Sequence, residues 1–142
     1  AGRHDQLAIA HYDNAIALQP TSIEAHYNKA KFMQEHGRAA EALKEYEIIL
    51  KINPDHFPAH FNIGYVYMIY LEEYEQAVDH FSRAISYAPD KYYEAYYNRG
   101  YAYELMNNKV EAEKNFRTAL AIKPDYNLAA KGISRVVDGD YR

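Results

Sequence analysis

Cysteine and tryptophan are both absent from this chain of 142 residues. Without cysteine there is no disulfide, no thiol nucleophile and no thiolate metal site, although the absence fixes no compartment. An excess of positive charge is missing too. Sixteen Lys and Arg stand among 20 Asp and Glu for a net charge of -4, and they are scattered, so no basic patch argues for nucleic acid. No run of apolar residues is long enough to span a membrane. Glycine is sparse, with six in all, and none of them builds a phosphate-cradling loop. Hydrophobic residues nevertheless make up 49% of the chain and tyrosine contributes 16 residues, enough to fill an apolar core.

What is present is periodic. Prolines at 20, 54, 89 and 124 recur every 34 or 35 residues. Between them lie three superimposable segments that begin at Ile23, Phe57 and Tyr93. With those residues counted as the first position, the eighth is small (Ala30, Gly64, Gly100) and so is the twentieth (Ala42, Ala77, Ala112). The twenty-fourth is aromatic (Tyr46, Phe81, Phe116), and Ile49, Ala84 and Ala119 follow three residues later. The second segment keeps this register only if one residue is inserted near Leu71, a change that is harmless between helices and disruptive inside one. Apolar residues at three- and four-residue spacing within each half-unit predict helices with one packed face. Each closing proline stops a second helix. Helices are expected near 5–18, 23–36, 39–52, 57–71, 74–87, 92–106, 109–122 and 126–137.

This set of positions resembles the tetratricopeptide repeat, a helical hairpin of about 34 residues. The resemblance implies an all-α fold, an α-α superhelix or solenoid of stacked antiparallel helix hairpins, as one domain over residues 1–142. Its parts would be a partial unit 5–22, full units 23–56, 57–92 and 93–126, and a C-terminal capping helix 127–138. The sequence departs from the family pattern at its fourth position (His26, His60, Tyr96), at its seventh (Lys29, Arg99) and at the turn, where only Gly37 keeps the usual glycine. Tyr46, Phe81 and Phe116 are expected in the core. The first helix, 5–18, stands without a hairpin partner, as in a fragment of a longer protein, and is expected to leave Ala8, Tyr12 and Ala15 open to a second copy of the chain.

In this family the first helix of each unit lines the concave surface. Carried over, that places Tyr27, Phe61 and Tyr97 at the fifth position, Asn28, Asn62 and Asn98 at the sixth, and Lys31, Tyr65 and Tyr101 at the ninth as the peptide-binding groove. Tyrosine offers a large contact area at little entropic cost together with a hydroxyl partner, and a file of Asn can bond an extended backbone. The cationic clamp that some members use for a terminal carboxylate is not reproduced: Tyr27, Lys31, Glu94 and Asn98 stand in its places. With Glu24, Glu35, Glu94 and Glu104 at the rim, the expected partner is a neutral or mildly basic protein or peptide bearing apolar side chains.

No catalytic residue, cofactor or metal is expected. His26 and His60 share a repeat position and are expected as neighbours, but two imidazoles without a third ligand make a poor zinc site. His11 and His80 likewise share a position on second helices, and Asp79 beside His80 points another way around the helix. The function expected is a non-enzymatic protein-protein interaction module. The alternatives are a structural or self-assembling scaffold, homo-oligomeric through the open N-terminal helix, or the adaptor segment of a larger multidomain protein.

Overall fold

A computed structural model describes residues 2–139, and the described chain is helical throughout. The helices are α1 (Arg3–Leu18), α2 (Ile23–Glu35), α3 (Ala39–Ile52), α4 (Phe57–Tyr65), α5 (Tyr74–Ser86), α6 (Tyr93–Leu105), α7 (Lys109–Ile122) and α8 (Asn127–Asp138). Consecutive helices pack as antiparallel hairpins, α2 with α3, α4 with α5 and α6 with α7, and each hairpin stacks on the next. The result is a solenoid without a sheet among the described residues.

The periodic small and aromatic positions explain the stacking. Tyr46, Phe81 and Phe116 are fully buried, as are Ala42, Ala77 and Ala112. A Cβ added at Gly64 would lie 2.8 Å from the Phe81 ring, and one at Gly100 would lie 2.9 Å from the Phe116 ring. Glycine at the eighth position therefore lets the ring of the second helix touch the first helix's backbone. The first unit differs: Ala30 and Tyr46 share one buried cluster, and the Tyr46 hydroxyl donates to Gln34 Oε1 at 2.6 Å. Phe116 is held from two sides, since a Cβ at Gly132 on α8 would come within 2.7 Å of its other edge.

The extra residue of the second unit is not between helices. α4 continues as a widened π turn, Val66–Tyr70, which is how a helix absorbs a one-residue insertion without breaking. The chain then reaches a left-handed residue at the hairpin turn in all three units: Gly37 (φ 76°), Glu72 (φ 53°) and Asn107 (φ 61°). The turn geometry is thus retained where the glycine is lost, at a steric cost greatest for Glu72.

The N-terminal helix departs from expectation in its open face. Ala8, Tyr12 and Ala15 are half-buried, and the Tyr12 ring meets Phe32 of α2 at 5.8 Å. The exposed large apolar residues of α1 are instead Leu7 and Leu18.

Candidate interaction face

The first helices α2, α4 and α6 are fastened at their N-termini by side chains that the sequence pattern marks as departures. His26 Nε2 donates to Pro20 O at 2.8 Å, His60 Nε2 donates to Pro54 O at 2.9 Å, and the Tyr96 hydroxyl donates to Pro89 O at 2.7 Å. The fourth position therefore ties each first helix to the proline turn that precedes it. His26 and His60 are not partners. His26 Nδ1 lies 2.7 Å from Glu45 Oε2, whereas His60 Nδ1 lies 3.4 Å from His80 Nδ1. Burial, with smaller contributions from Arg83 and His60, pushes the His80 imidazole down to about 4, so it is neutral near pH 7.

The seventh position is polar because the second helix answers it. Lys29 Nζ reaches Asp13 Oδ1 at 2.8 Å and Glu45 Oε1 at 3.1 Å. Its pKa is raised, since the bonds to Asp13 and Glu45 together outweigh the larger single effect of burial. Arg99 donates through Nε to Asn115 Oδ1 at 2.7 Å and through Nη1 to Ser82 Oγ at 3.1 Å. No group of three or more His, Cys, Asp or Glu that could hold a metal occurs among the described residues.

Among the clefts bordered by described residues, four lie beside α1, α2, α4, α6 and α8. One of about 210 Å³ is bordered by Ala15, Gln19, Ser22, Glu24, Ala25 and Asn28. Another of about 310 Å³ is bordered by Ile23, Glu24, Tyr27, His56 and Pro58. A third, about 280 Å³, lies among Lys31, Gln34, Glu35, Phe61, Asn62, Tyr65 and Tyr70. The fourth, about 670 Å³, lies among Tyr97, Tyr101, Glu104, Leu105, Asn107 and Arg135.

Eight of the nine residues singled out from the sequence border these clefts, and their exposure differs. Tyr27 is half-buried, edge-on to Tyr46 and His56, both at 6.1 Å. Asn28 is exposed, and Lys31 pairs with Glu35 at 3.6 Å. Phe61 packs on Phe57 and Phe81, while Tyr65 meets Tyr70 edge-on. Tyr97 and Tyr101 lie parallel with centroids 6.3 Å apart. Burial raises the Tyr97 phenol, with Arg135 opposing it. Asn98, the ninth, is half-buried and borders none of the four. Asn62 is buried, and its amide nitrogen donates to Pro58 O at 2.7 Å and to the Tyr27 hydroxyl at 3.1 Å. Both of its N–H groups are therefore spent internally, and only its carbonyl is left for a ligand.

Two sets of residues at this edge escaped the repeat count. One is the ring that precedes α4, α6 and α8: His56 beside Tyr27, Tyr92 stacked on Phe57 at 3.6 Å, and Tyr126 edge-on to Tyr93 and Tyr97 at 4.9 and 5.5 Å. Burial, then the Glu94 carboxylate, pushes the Tyr126 phenol up to about 12. The other is Arg135 on α8, which binds Glu104 through two bonds of 2.8 Å. Extending the count past Pro124 puts Arg135 at the ninth position, the register of Lys31, Tyr65 and Tyr101.

Family models of the tetratricopeptide repeat match residues 1–63, 57–91 and 93–126. The human tetratricopeptide repeat protein 6 is 30% identical over 80 residues, which are 56% of this chain and 15% of that protein. The chain thus spans a small part of that relative's length. Among solved structures, the crystal structure of MamA superposes with a TM-score of 0.85 at 23% identity, covering 93% of this chain and 76% of that one. A tetratricopeptide repeat protein from Parabacteroides merdae gives 0.81 at 23% identity, covering 94% and 51%. The first repeat domain of Spaghetti (RPAP3), solved with the HSP90 peptide SRMEEVD, gives 0.78 at 20% identity, covering 82% and 91%. At these identities the structural likeness establishes the fold.

Proposed function

The chain belongs to the tetratricopeptide repeat family, and we propose that its α2–α4–α6 edge is a groove that binds an extended peptide or a helix of a protein partner. A scaffold of this family is not an enzyme, and its work is to present a surface. The observation that carries the reading is that clefts beside each of α2, α4 and α6 are bordered by rings that internal contacts already hold in place. Tyr27 is fixed by Asn62 and Tyr46, and Tyr97 by Phe116 and Tyr126. Rings ordered before binding lose little entropy on contact, which favours them as anchors. Tyr65 and Tyr101, at the ninth position, are the anchors expected to matter most. The peptide seen on the RPAP3 domain is consistent with this use of the fold, while the missing cationic clamp argues for a different ligand chemistry.

The test is affinity capture with the intact chain followed by calorimetry on the captured partner. Joint replacement Tyr65→Ala and Tyr101→Ala is expected to weaken binding by about 2 kcal/mol or more. Both rings also pack against the core formed by Met68, Ala77, Phe81 and Ala102, so some stability is lost while the helical circular dichroism is kept. Unchanged affinity would move the binding surface off this edge.

A second reading rests on a different observation. α1 has no fully buried residue, and Leu7 and Leu18 are 58% and 84% exposed, an apolar edge suited to a second copy. Sedimentation that stays monomeric at high protein concentration rejects it.

A further inference from the structure

Glu24 stands in the first turn of α2 with its side chain exposed, and it borders two adjoining clefts, of about 310 and 210 Å³. It forms no ion pair among the described residues, whereas Glu35, Glu45 and Glu104 are each matched by Lys31, Lys29 and Arg135. Nothing else that borders the two clefts carries a charge. His56 is held neutral because its Nδ1 accepts the Ala59 N–H at 3.1 Å, and burial, with His60 adding to it, lowers its pKa. The larger cleft is otherwise apolar and aromatic, and its Tyr27 wall is locked by the Asn62 bond and by the Tyr46 and His56 rings. A lone carboxylate beside a fixed aromatic ring and an aliphatic floor is complementary to a cation on an alkyl stem.

The molecule fills the corresponding corner of its third unit with such a group. Lys123, the residue before Pro124, places its ammonium 5.3 Å from the centroid of the Tyr93 ring, which meets Tyr126 edge-on, and pairs with Asp125 Oδ1 at 3.6 Å. In the first unit the residue before Pro54 is Asn53, which is exposed and brings no charge. The corner that the chain supplies with its own lysine at one end, paired with Asp125, brings no cation of its own at the other, where Glu24 stands exposed.

We propose that the Glu24 cleft is a subsite for a lysine or arginine side chain of the partner peptide, its stem against Ile23 and Pro58 and its cationic head between Glu24 and the Tyr27 ring. This rests on the reading of the edge as a peptide groove, and it names the chemistry that one end of the groove selects.

The test is an NMR titration of the ¹⁵N-labelled chain with N-acetyl-lysine amide and N-acetyl-arginine amide, with N-acetyl-norleucine amide as the neutral control. Saturable shifts are expected at the amides of Glu24, Tyr27 and His56 for the cationic probes, with the neutral probe about fivefold weaker or more. Glu24→Gln, an exposed change that leaves the fold intact, should remove that preference. Asn53→Lys, which installs the third unit's cation, should weaken both cationic probes. Comparison of the two cations shows whether ammonium or guanidinium is preferred. Equal binding of the neutral probe, or a preference that survives Glu24→Gln, overturns the subsite. The two readings fail separately: an inert Glu24 cleft with a Tyr65/Tyr101-dependent partner refutes only the subsite, and the converse refutes the groove as the partner's site.

Discussion

Gly132→Ala puts a single methyl group against a ring that has no room to retreat. The new Cβ would sit 2.7 to 2.8 Å from three atoms of Phe116, while the opposite edge of the same ring lies 2.9 Å from where a Cβ on Gly100 would be. Phe116 has no solvent exposure and packs within the cluster of Ala112, Ala119, Ala129 and Val136. Overpacking of this kind costs roughly 1–3 kcal/mol. Replacing a helical glycine by alanine returns about 1 kcal/mol of intrinsic helix preference. The net expectation is a loss of roughly 1 kcal/mol, or a melting temperature lower by roughly 3 °C in a chain of this size. Thermal melts followed by circular dichroism decide it, with Gly100→Ala and the double variant measured alongside. Because both methyl groups compete for the same ring, the double variant should lose more than the sum of the singles. A Gly132→Ala protein that melts higher than the parent would refute the reasoning, since only a slack ring lets the helix preference win. The assay also bears on the proposed groove, because Tyr97 leans on Phe116 at 5.6 Å and a displaced Phe116 must move it.

Other expectations follow from single side chains. Glu72→Gly relieves the left-handed turn at φ 53° and should raise stability by about 0.5–1 kcal/mol in a denaturant titration. His80 has a folded-state pKa below its unfolded value, pushed down to about 4 chiefly by burial. The unfolded chain thus binds more protons between about pH 6.5 and 4, so this contribution is full above the unfolded pKa and is lost as pH falls through that window. After allowance for partial solvent access it amounts to about 1–2 kcal/mol, and His80→Gln should flatten the pH dependence of the melting temperature relative to the parent. Asn62→Ala should cost about 1 kcal/mol or more of stability in the same melts, because it strips the Tyr27 hydroxyl and Pro58 carbonyl of their donor. A variant as stable as the parent would mean that those bonds are not formed in solution.

The repeat register was legible because stacking imposes it at the level of volume. Where two helix backbones approach, a ring can enter only opposite glycine or alanine, so Gly64, Gly100, Ala77 and Ala112 announce the contact wherever they stand. Polar substitutions inside the pattern were less legible because their reason lies on another element. Lys29 is intelligible only beside Asp13 and Glu45, and Arg99 only beside Asn115 and Ser82. The inserted residue of the second unit was visible, but its place was not, because a helix can widen one turn as readily as a loop can lengthen. The residues of the proposed groove show the same division. Their register follows from the repeat, yet whether a given Asn faces a ligand depends on who takes its hydrogen bonds, and for Asn62 the Tyr27 hydroxyl of the neighbouring unit is one of the takers. The sixth position is therefore not one row of equal contacts: Asn62 serves the frame with its amide nitrogen, while Asn28 remains exposed beside the Glu24 clefts. Specificity should accordingly be sought where the repeat is broken, at Asn53 beside Glu24 against Lys123 in the third unit, and at Arg135 on Glu104, since those are the places where one unit offers a partner something that another does not.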